Sequence, residues 1–194
     1  MSQITKYALA NSLKNLLVKK PLDKITINDI TEDCGVNRMT FYYHFQDIYD
    51  LIEWICAEDA VKVLEGKKTY DTWQEGFYNI FEAVLENKIF VMNVYHSISR
   101  EQIENYLYKI THKLLLDVVE EKAVSISIRD EDKNFIADFY KYAFVGLVLN
   151  WIKSDMKEEP CEIINKLTTL IQGDITRAIE NFRTDRPRSF EKNE

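Results

Sequence analysis

Hydrophobic residues recur at three- and four-residue intervals through most of the chain, which is the spacing of one face of an α-helix. The first such stripe predicts a helix over about residues 5–19 that ends before Pro21. Later stripes predict helices over about 47–65, 70–87, 89–97, 100–122, 131–155 and 161–183.

Two short helices between the first two of these carry complete start signals. Thr26 is placed to cap the first, with Asp29 as the reciprocal partner of a capping box. Gly35 ends this helix, and Asn37 is placed to cap the second. Because only about three residues link the two helices, they must meet at a steep angle, which predicts a helix-turn-helix.

The composition also favours an all-α fold, because five Gly and three Pro are few for two residues that helices tolerate poorly. Strand-like alternation occurs only at Val124–Ile128, where a loop is the better interpretation because no second strand is available to pair with it. We therefore predict about nine helices. The predicted organisation is a three-helix DNA-binding helix-turn-helix domain over 1–46, a connecting helix over 47–66, a helical dimerisation and ligand-binding domain over 67–184 and a disordered tail over 185–194.

The charge is distributed unevenly along the chain. The net charge is −7, which argues against a protein that coats nucleic acid by bulk charge. Residues 1–46 nevertheless carry +2, so that the remaining residues carry −9. An acidic body behind a mildly basic head suits a protein that contacts DNA at one end only.

The sequence argues against several functional classes. Cys34, Cys56 and Cys161 are widely spaced, and His residues are scattered, so we expect no disulfide framework, no metal site and a reducing cytoplasm. The chain lacks a signal-peptide pattern and a run of about 18 apolar residues, which argues against a membrane span. Since phosphate-loop, dinucleotide and nucleophile-elbow motifs are missing, we predict neither an enzyme nor a cofactor.

The helix capped by Asn37 is predicted to read the major groove, and Asn37 itself is counted among the DNA-binding residues. Its first-turn residues Arg38, Met39 and Thr40 point outward, where a recognition helix reaches base edges. Arg38 is suited to donate two bonds to a guanine or to pair with a phosphate. Met39 and Thr40 can pack against a thymine methyl group. Phe41 faces inward.

Phosphate contacts are expected beside these base contacts. The candidates are the hydroxyl groups of Tyr42 and Thr26 and a ring nitrogen of His44. Thr26 has the alternative role of a helix cap, and His44 that of packing on the helix end. Tyr43 either stacks on its own domain or contacts the DNA backbone.

The segment from Thr26 to Leu51, TINDITEDCGVNRMTFYYHFQDIYDL, resembles the N-terminal domain of the TetR family of transcriptional regulators. The shared features are the capping Thr26, Cys34-Gly35-Val36, Phe41-Tyr42-Tyr43-His44-Phe45 and Asp47. The resemblance implies a homodimer that binds a palindromic DNA operator, as a repressor relieved by a small-molecule effector. A co-activator or ligand-independent regulator that acts through a protein partner is the alternative. Ile48 stands where the family usually has a phosphate-binding lysine.

The helix predicted over 131–155 is apolar almost all round and therefore needs more than one packing partner, and the helix predicted over 161–183 carries one continuous apolar stripe. One interpretation is a core within the chain, and the other is the four-helix interface through which TetR-like proteins dimerise. The second interpretation places at the interface Phe144, Leu147, Trp151, Ile163, Leu167, Leu170, Ile171, Ile175 and Ile179.

TetR-like proteins usually hold a small-molecule pocket in the body. The aromatic residues that could line one are Trp73, Phe77, Phe81, Phe90, Tyr95, Tyr106 and Phe139. Such a stripe at helical spacing is more often plain core than a pocket lining, above all for the Phe77/Phe81 pair. The Gly-x4-Trp motif ending at Trp151 resembles a subgroup that contains the regulator of the dihydroxyacetone kinase operon, which keeps an activator role open.

Overall fold

Helices account for most of the chain in the computed structural model, which describes residues 2–63, 73–171 and 173–185. A short 3-10 helix, Leu22–Lys24, lies between the first two α-helices. The part described contains no strand, and Val124–Ile128 lies in a loop, so the predicted all-α fold is confirmed. The α-helices are α1 (Ser2–Leu17), α2 (Ile27–Asp33), α3 (Arg38–His44), α4 (Ile48–Val63), α5 (Trp73–Glu86), α6 (Lys88–Ser97), α7 (Arg100–Ala123), α8 (Asp130–Lys153), α9 (Pro160–Ile171) and α10 (Asp174–Asn181).

The helix predicted over residues 161–183 is two helices. α9 ends at Ile171 and α10 begins at Asp174, with Gly173 between them at φ +80°. Glycine adopts this left-handed conformation at little cost, which allows the chain to leave one helix before it starts the next. The predicted boundary between head and body, near residues 66 and 67, lies outside the described residues.

Contacts group the chain into two compact units. The first unit comprises residues 1–63 and 83–103, and the second comprises residues 64–82 and 104–194. The helix α6 therefore packs with the N-terminal helices, although the sequence assigned it to the body. Its contacts are with α1 and the 3-10 helix.

The core of the first unit forms where α1, α2, α3 and α4 meet. Phe41 of α3 and Ile30 of α2 are fully buried there with Leu9 and Leu13 of α1. The buried hydroxyl group of Ser12 donates to the Ile30 carbonyl oxygen at 3.0 Å, which ties α1 to α2. This packing holds the two short helices in place, since neither is long enough to be stable alone.

Polar contacts between α1 and α4 surround this core. The Tyr7 hydroxyl group donates to Glu58 Oε2 at 2.5 Å, and Lys14 Nζ lies 2.7 Å from Asp59 Oδ2. Burial raises the pKa of the neighbouring Cys56 thiol to about 12. This thiol is therefore protonated at neutral pH and is a poor nucleophile.

The core of the second unit is built around α8. The ring of Phe144 lies 4.2 Å from that of Phe77, and Phe81 lies 4.8 Å from Trp151, as measured between ring centroids. The Trp151 indole Nε1–H donates to the Glu158 carbonyl oxygen at 2.7 Å, so the loop after α8 satisfies its polar group. Phe81 is thus part of this core, and Phe77 packs against it while half-buried.

α8 is also long and apolar enough to span a bilayer by length and composition alone. Half of that stretch is buried within the protein. A half-buried helix of this kind is typical of the core of a folded domain, so the finding is weak evidence for a membrane span.

Most of the residues considered for a dimer interface lie inside the second unit. They are buried by packing within the chain, and part of this packing is α10 against α8. A core within the chain was the first of the two interpretations of these residues. Leu147 and Leu170 are exposed, and Ile171 is half-buried. The six buried residues are Phe144, Trp151, Ile163, Leu167, Ile175 and Ile179.

The predicted aromatic pocket needs two corrections. Phe90 is buried in the core of the first unit, because α6 packs on α1 there. Phe139 is 65% exposed, because it lies on the outer face of α8. Of the other candidates, Tyr95 is half-buried in the first unit, and Trp73, Phe77 and Tyr106 are half-buried in the second.

Candidate nucleic-acid interface

The start of α2 is held by the predicted capping box. Asp29 N–H donates to Thr26 Oγ1 at 3.2 Å, and Thr26 N–H donates to Asp29 Oδ2 at 2.7 Å. The Thr26 hydroxyl group donates to the same carboxylate oxygen at 2.7 Å, and Lys20 Nζ lies 3.0 Å from Asp29 Oδ1. The capping role of Thr26 is thus confirmed, and its hydroxyl proton is already used within the protein.

We expect this capping box to make the stability of the head depend on pH. Hydrogen bonds from the Thr26 side chain and backbone, together with Lys20, lower the pKa of Asp29 from 3.8 to about 2. Because the folded-state pKa is the lower one, the stabilisation is complete above about pH 4 and is lost as the pH falls through about 2. Asp29→Asn should therefore destabilise the protein at pH 5 and make little difference at pH 2. Urea unfolding of both proteins at the two pH values checks this. A loss of unfolding free energy that is as large at pH 2 as at pH 5 would contradict it.

The turn between α2 and α3 depends on Gly35. Its φ of +70° lies in the left-handed region, which favours glycine over residues with a side chain. Val36 N–H donates to the Thr31 carbonyl oxygen at 2.9 Å across this turn. The chain can therefore reverse within a few residues and start α3 at a steep angle.

Asn37 caps α3 as predicted. Its Oδ1 accepts hydrogen bonds from Thr40 N–H at 2.8 Å and from the Thr40 hydroxyl group at 3.0 Å. The polar atoms of Asn37 and Thr40 thus stabilise the first turn of the helix. The Thr40 hydroxyl proton is used by the cap, and the Thr40 side chain is half-buried.

The two faces of α3 separate as the sequence predicts. Phe41 and the following Phe45 are buried in the core of the first unit. Arg38 is exposed, and Met39 and Tyr43 are 76% and 81% exposed. The helix α3 thus presents one cation and two large, mainly apolar side chains to solvent on the face opposite its core.

Arg38 and Tyr42 are in contact on this exposed face. Arg38 Nη2 donates to the Tyr42 hydroxyl oxygen at 3.0 Å, and Arg38 Cζ lies 5.5 Å from the centroid of the tyrosine ring. This contact was not predicted from the sequence. The four-residue spacing on one helix was the signal that could have revealed it.

His44 and Tyr43 lie at the end of α3. Their rings meet edge to face with centroids 4.9 Å apart, and His44 is half-buried beside Phe45. His44 therefore packs on the helix end and still has an exposed part. The structure brings together seven of the eight predicted DNA-binding residues on α3 and its cap, and Thr26 lies at the start of α2.

Ile48, at the start of α4, makes an apolar contact in place of the family's lysine. It is half-buried and packs against the core of the first unit. Lys6 Nζ on α1 lies 5.4 Å from the ring centroids of both Phe45 and Trp54. The first turn of α4 thus supplies packing, with Asp50 as its acidic residue.

Two family models match the chain. "Bacterial regulatory proteins, tetR family" matches residues 12–55, and "Transcriptional regulator C-terminal region" matches residues 71–173. The first match contains the whole of α2, the turn and α3, whose geometry is described above. The second covers more than half of the chain.

Two bacterial transcriptional regulators are similar to this chain in sequence. The HTH-type dhaKLM operon transcriptional activator DhaS of Lactococcus lactis subsp. lactis (strain IL1403) is 25% identical over 176 residues, which cover 88% of this chain and 92% of that protein. The uncharacterized HTH-type transcriptional regulator YerO of Bacillus subtilis (strain 168) is 24% identical over 181 residues, which cover 81% of this chain and 61% of that protein.

Solved structures share the fold. The dihydroxyacetone kinase operon activator DhaS superposes with a TM-score of 0.68 at 22% identity, over 93% of this chain and 99% of that one. The repressor AlkX from Dietzia sp. strain DQ12-45-1b superposes with a TM-score of 0.59 at 15% identity, over 90% and 96% of the two chains.

Regulators of this family are non-enzymatic DNA-binding transcription factors that act as dimers. The prediction that the protein is not an enzyme is therefore confirmed. The capped helix-turn-helix, the all-α fold and both family matches lead to one conclusion: the chain belongs to the TetR family of bacterial transcriptional regulators.

Proposed function

We propose that the protein is a transcriptional regulator that binds a palindromic operator in the cytoplasm as a homodimer, with α3 of each protomer in the major groove. The observation that carries the proposal is the exposed face of α3, held by the Asn37 cap and by the buried Phe41. A helix held in this way reads bases with little reorganisation.

The predicted DNA-binding residues of α3, together with Thr26 at the start of α2, have proposed roles. Arg38 donates to a guanine, and Met39 and the Thr40 methyl group pack against thymine methyl groups. Tyr43 and the exposed part of His44 contact phosphates near the end of α3. Thr26 keeps its capping role and offers the start of α2 to a phosphate through backbone N–H groups.

Selection of duplexes from a random DNA library with the purified protein tests this function. We expect an enriched palindrome that binds one dimer, because two equivalent heads read two equivalent half-sites. Binding that is equally strong to every duplex, or enrichment of an asymmetric site, would count against the proposal. No second protein is needed for the expected result, which separates this function from that of a partner-dependent co-activator.

Replacing Arg38 with alanine should weaken binding to the selected palindrome by about 1–3 kcal/mol, because a two-bond contact with one base is lost. Binding to a scrambled duplex should change much less. Titration of both duplexes by fluorescence anisotropy measures the two losses. An unchanged affinity for the palindrome would remove Arg38 from the interface.

The dimer surface proposed is the α8 aromatic face, which consists of Phe135, Phe139 and Tyr142. All three are more than half exposed, and they recur at helical spacing. Ala143 and Gly146 are exposed beside them and let a second helix approach closely. Single exposed apolar residues are ordinary, whereas a continuous aromatic face favours an interface.

The end of α10 extends the same surface. The ring of Phe182 lies 6.3 Å from that of Phe135, which places the end of α10 next to the α8 aromatic face. Leu147 continues along α8, and Leu170 of α9 is 72% exposed. Leu147 and Leu170 are the exposed members of the interface set predicted from the sequence.

The regulator could act as a repressor or as an activator of transcription. Repression follows if the dimer occupies a promoter, and AlkX, which shares the fold, is a repressor. Activation is favoured by the similarity to DhaS, an operon activator, over most of both chains. Transcription in vitro from a promoter that carries the selected palindrome distinguishes them, because added protein lowers transcript yield in the first case and raises it in the second.

A small-molecule effector is part of the proposed repressor mechanism. Trp73 and Phe77 are half-buried against Phe144 in the second unit, so an apolar or aromatic ligand is the chemistry that these rings would accept. Native mass spectrometry of the purified protein would reveal a retained ligand. An added mass that is present on the free protein and is lost when the operator binds would support this mechanism.

A further inference from the structure

The guanidinium group of Arg38 is held at two points by Tyr42. Nη2 donates to the hydroxyl oxygen, and the guanidinium carbon lies over the ring. Both residues lie on the exposed face of α3, one helical turn apart. The base-reading cation of the proposed interface is therefore oriented by a side chain of the same helix before any DNA is bound.

The remaining donors of Arg38 are sufficient for base recognition. A guanidinium group has five N–H donors, and the contact with Tyr42 uses one hydrogen of Nη2. The second hydrogen of Nη2 and both hydrogens of Nη1 stay available, and a guanine edge needs two donors for its O6 and N7 atoms. Arg38 can therefore pair with a guanine while it keeps its bond to Tyr42.

We propose that Tyr42 is a positioning residue, which sets the orientation of Arg38 and thereby strengthens discrimination at the base that Arg38 reads. An arginine side chain loses much rotamer freedom when it binds, and a contact that already restricts it in the free protein reduces that loss. This inference rests on the proposed function. It differs from the role predicted for Tyr42 from the sequence, which is an independent hydrogen bond to a phosphate.

A double-mutant cycle separates the two roles. Tyr42→Phe removes the hydroxyl group and keeps the ring, so we expect about three- to ten-fold weaker binding to the selected palindrome. In an Arg38→Ala background, the same change should alter affinity less than about two-fold, because no guanidinium group is left to orient. A fold loss of equal size in both backgrounds would overturn the inference.

The base preferences of the selected sequence give a second test of the two roles, because the loss of a phosphate contact would not change which bases are preferred. Library selection with Tyr42→Phe should weaken the preference at the base pair that Arg38→Ala also affects, and at no other. The dependence of affinity on salt concentration should stay that of the unmodified protein, because no cationic phosphate contact is lost. A uniform loss of affinity over all duplexes would assign Tyr42 to the phosphate backbone instead.

Tyr43→Phe is the matched control, because it removes a hydroxyl group from the adjacent position of α3. Whatever its effect on affinity, that effect should be the same in the unmodified protein and in the Arg38→Ala background. If the unmodified protein selects no sequence at all, the proposed function fails and the inference with it. Specific binding with additive effects of Tyr42→Phe and Arg38→Ala overturns the inference alone.

Discussion

Replacing Phe139 with glutamate is expected to convert the protein into monomers and to weaken binding to the palindrome by about 10²–10⁴-fold. The side chain is 65% exposed at the centre of the α8 aromatic face, so the change should leave the fold of the second unit intact. In the proposed dimer, however, the new carboxylate would be buried without a partner, which is strongly unfavourable. A monomer would then bind one half-site and lose the gain that comes from linking two heads.

Sedimentation velocity and operator titration measure the two consequences of Phe139→Glu. Ile89→Glu is a suitable control, because Ile89 is an exposed apolar residue on α6, and the change adds the same charge. The control should remain dimeric. Leu170→Glu tests whether α9 belongs to the same surface, because it should also yield monomers if Leu170 lies in the interface. A Phe139→Glu protein that sediments as a dimer would place the interface elsewhere.

Phe41→Ala is expected to lower the free energy of unfolding by about 3–5 kcal/mol, the usual cost of removing a large buried aromatic side chain. Phe41 is 0% exposed, and its ring lies 5.9 Å from that of Phe45, in the core where α1, α2, α3 and α4 meet. The cavity would remove the packing that holds α3 against the head. Operator binding should therefore weaken although Phe41 does not face the DNA.

Urea unfolding followed by circular dichroism measures the effect of Phe41→Ala. Met39→Ala is the matched control, because Met39 lies on the same helix and is 76% exposed. We expect it to change the free energy of unfolding by less than about 0.5 kcal/mol. Losses of similar size for the two variants would show that the buried face of α3 is not what stabilises the head.

The helix-turn-helix could be predicted from the sequence in detail. Thr26 and Asp29 are three residues apart, as are Asn37 and Thr40, and each pair meets within one turn of helix. Local signals of this kind do not depend on the rest of the fold. The separation of Phe41 from Arg38 also followed, because helical periodicity alone assigns residues to faces.

Other features were beyond prediction from periodicity. A stripe of apolar residues shows that a helix face is covered, but the hydrophobic effect is the same whether the chain itself or a partner covers it. The structure places Ile163 and Ile179 in the core of the chain and leaves Phe135 and Phe139 exposed. For the same reason, the sequence assigned Phe90 to a pocket in the body, although it packs in the core of the first unit.

The Arg38–Tyr42 contact could be predicted from the sequence only in part. The spacing permits it, but an exposed arginine has many competing rotamers, and the sequence does not say which one is occupied. The same limit applies to Ile48, where the sequence shows the missing lysine and only the structure shows that the side chain packs against the core of the head.

By itself, then, the sequence determined the helical class, the capped helix-turn-helix and the residues on the exposed face of α3, because these depend on interactions within a few residues. Only the tertiary structure decided which apolar stripes cover each other, that α6 packs with the head and that the α8 aromatic face stays exposed. Those outcomes depend on contacts between residues far apart in the chain, which side-chain shape and packing select and periodicity does not encode.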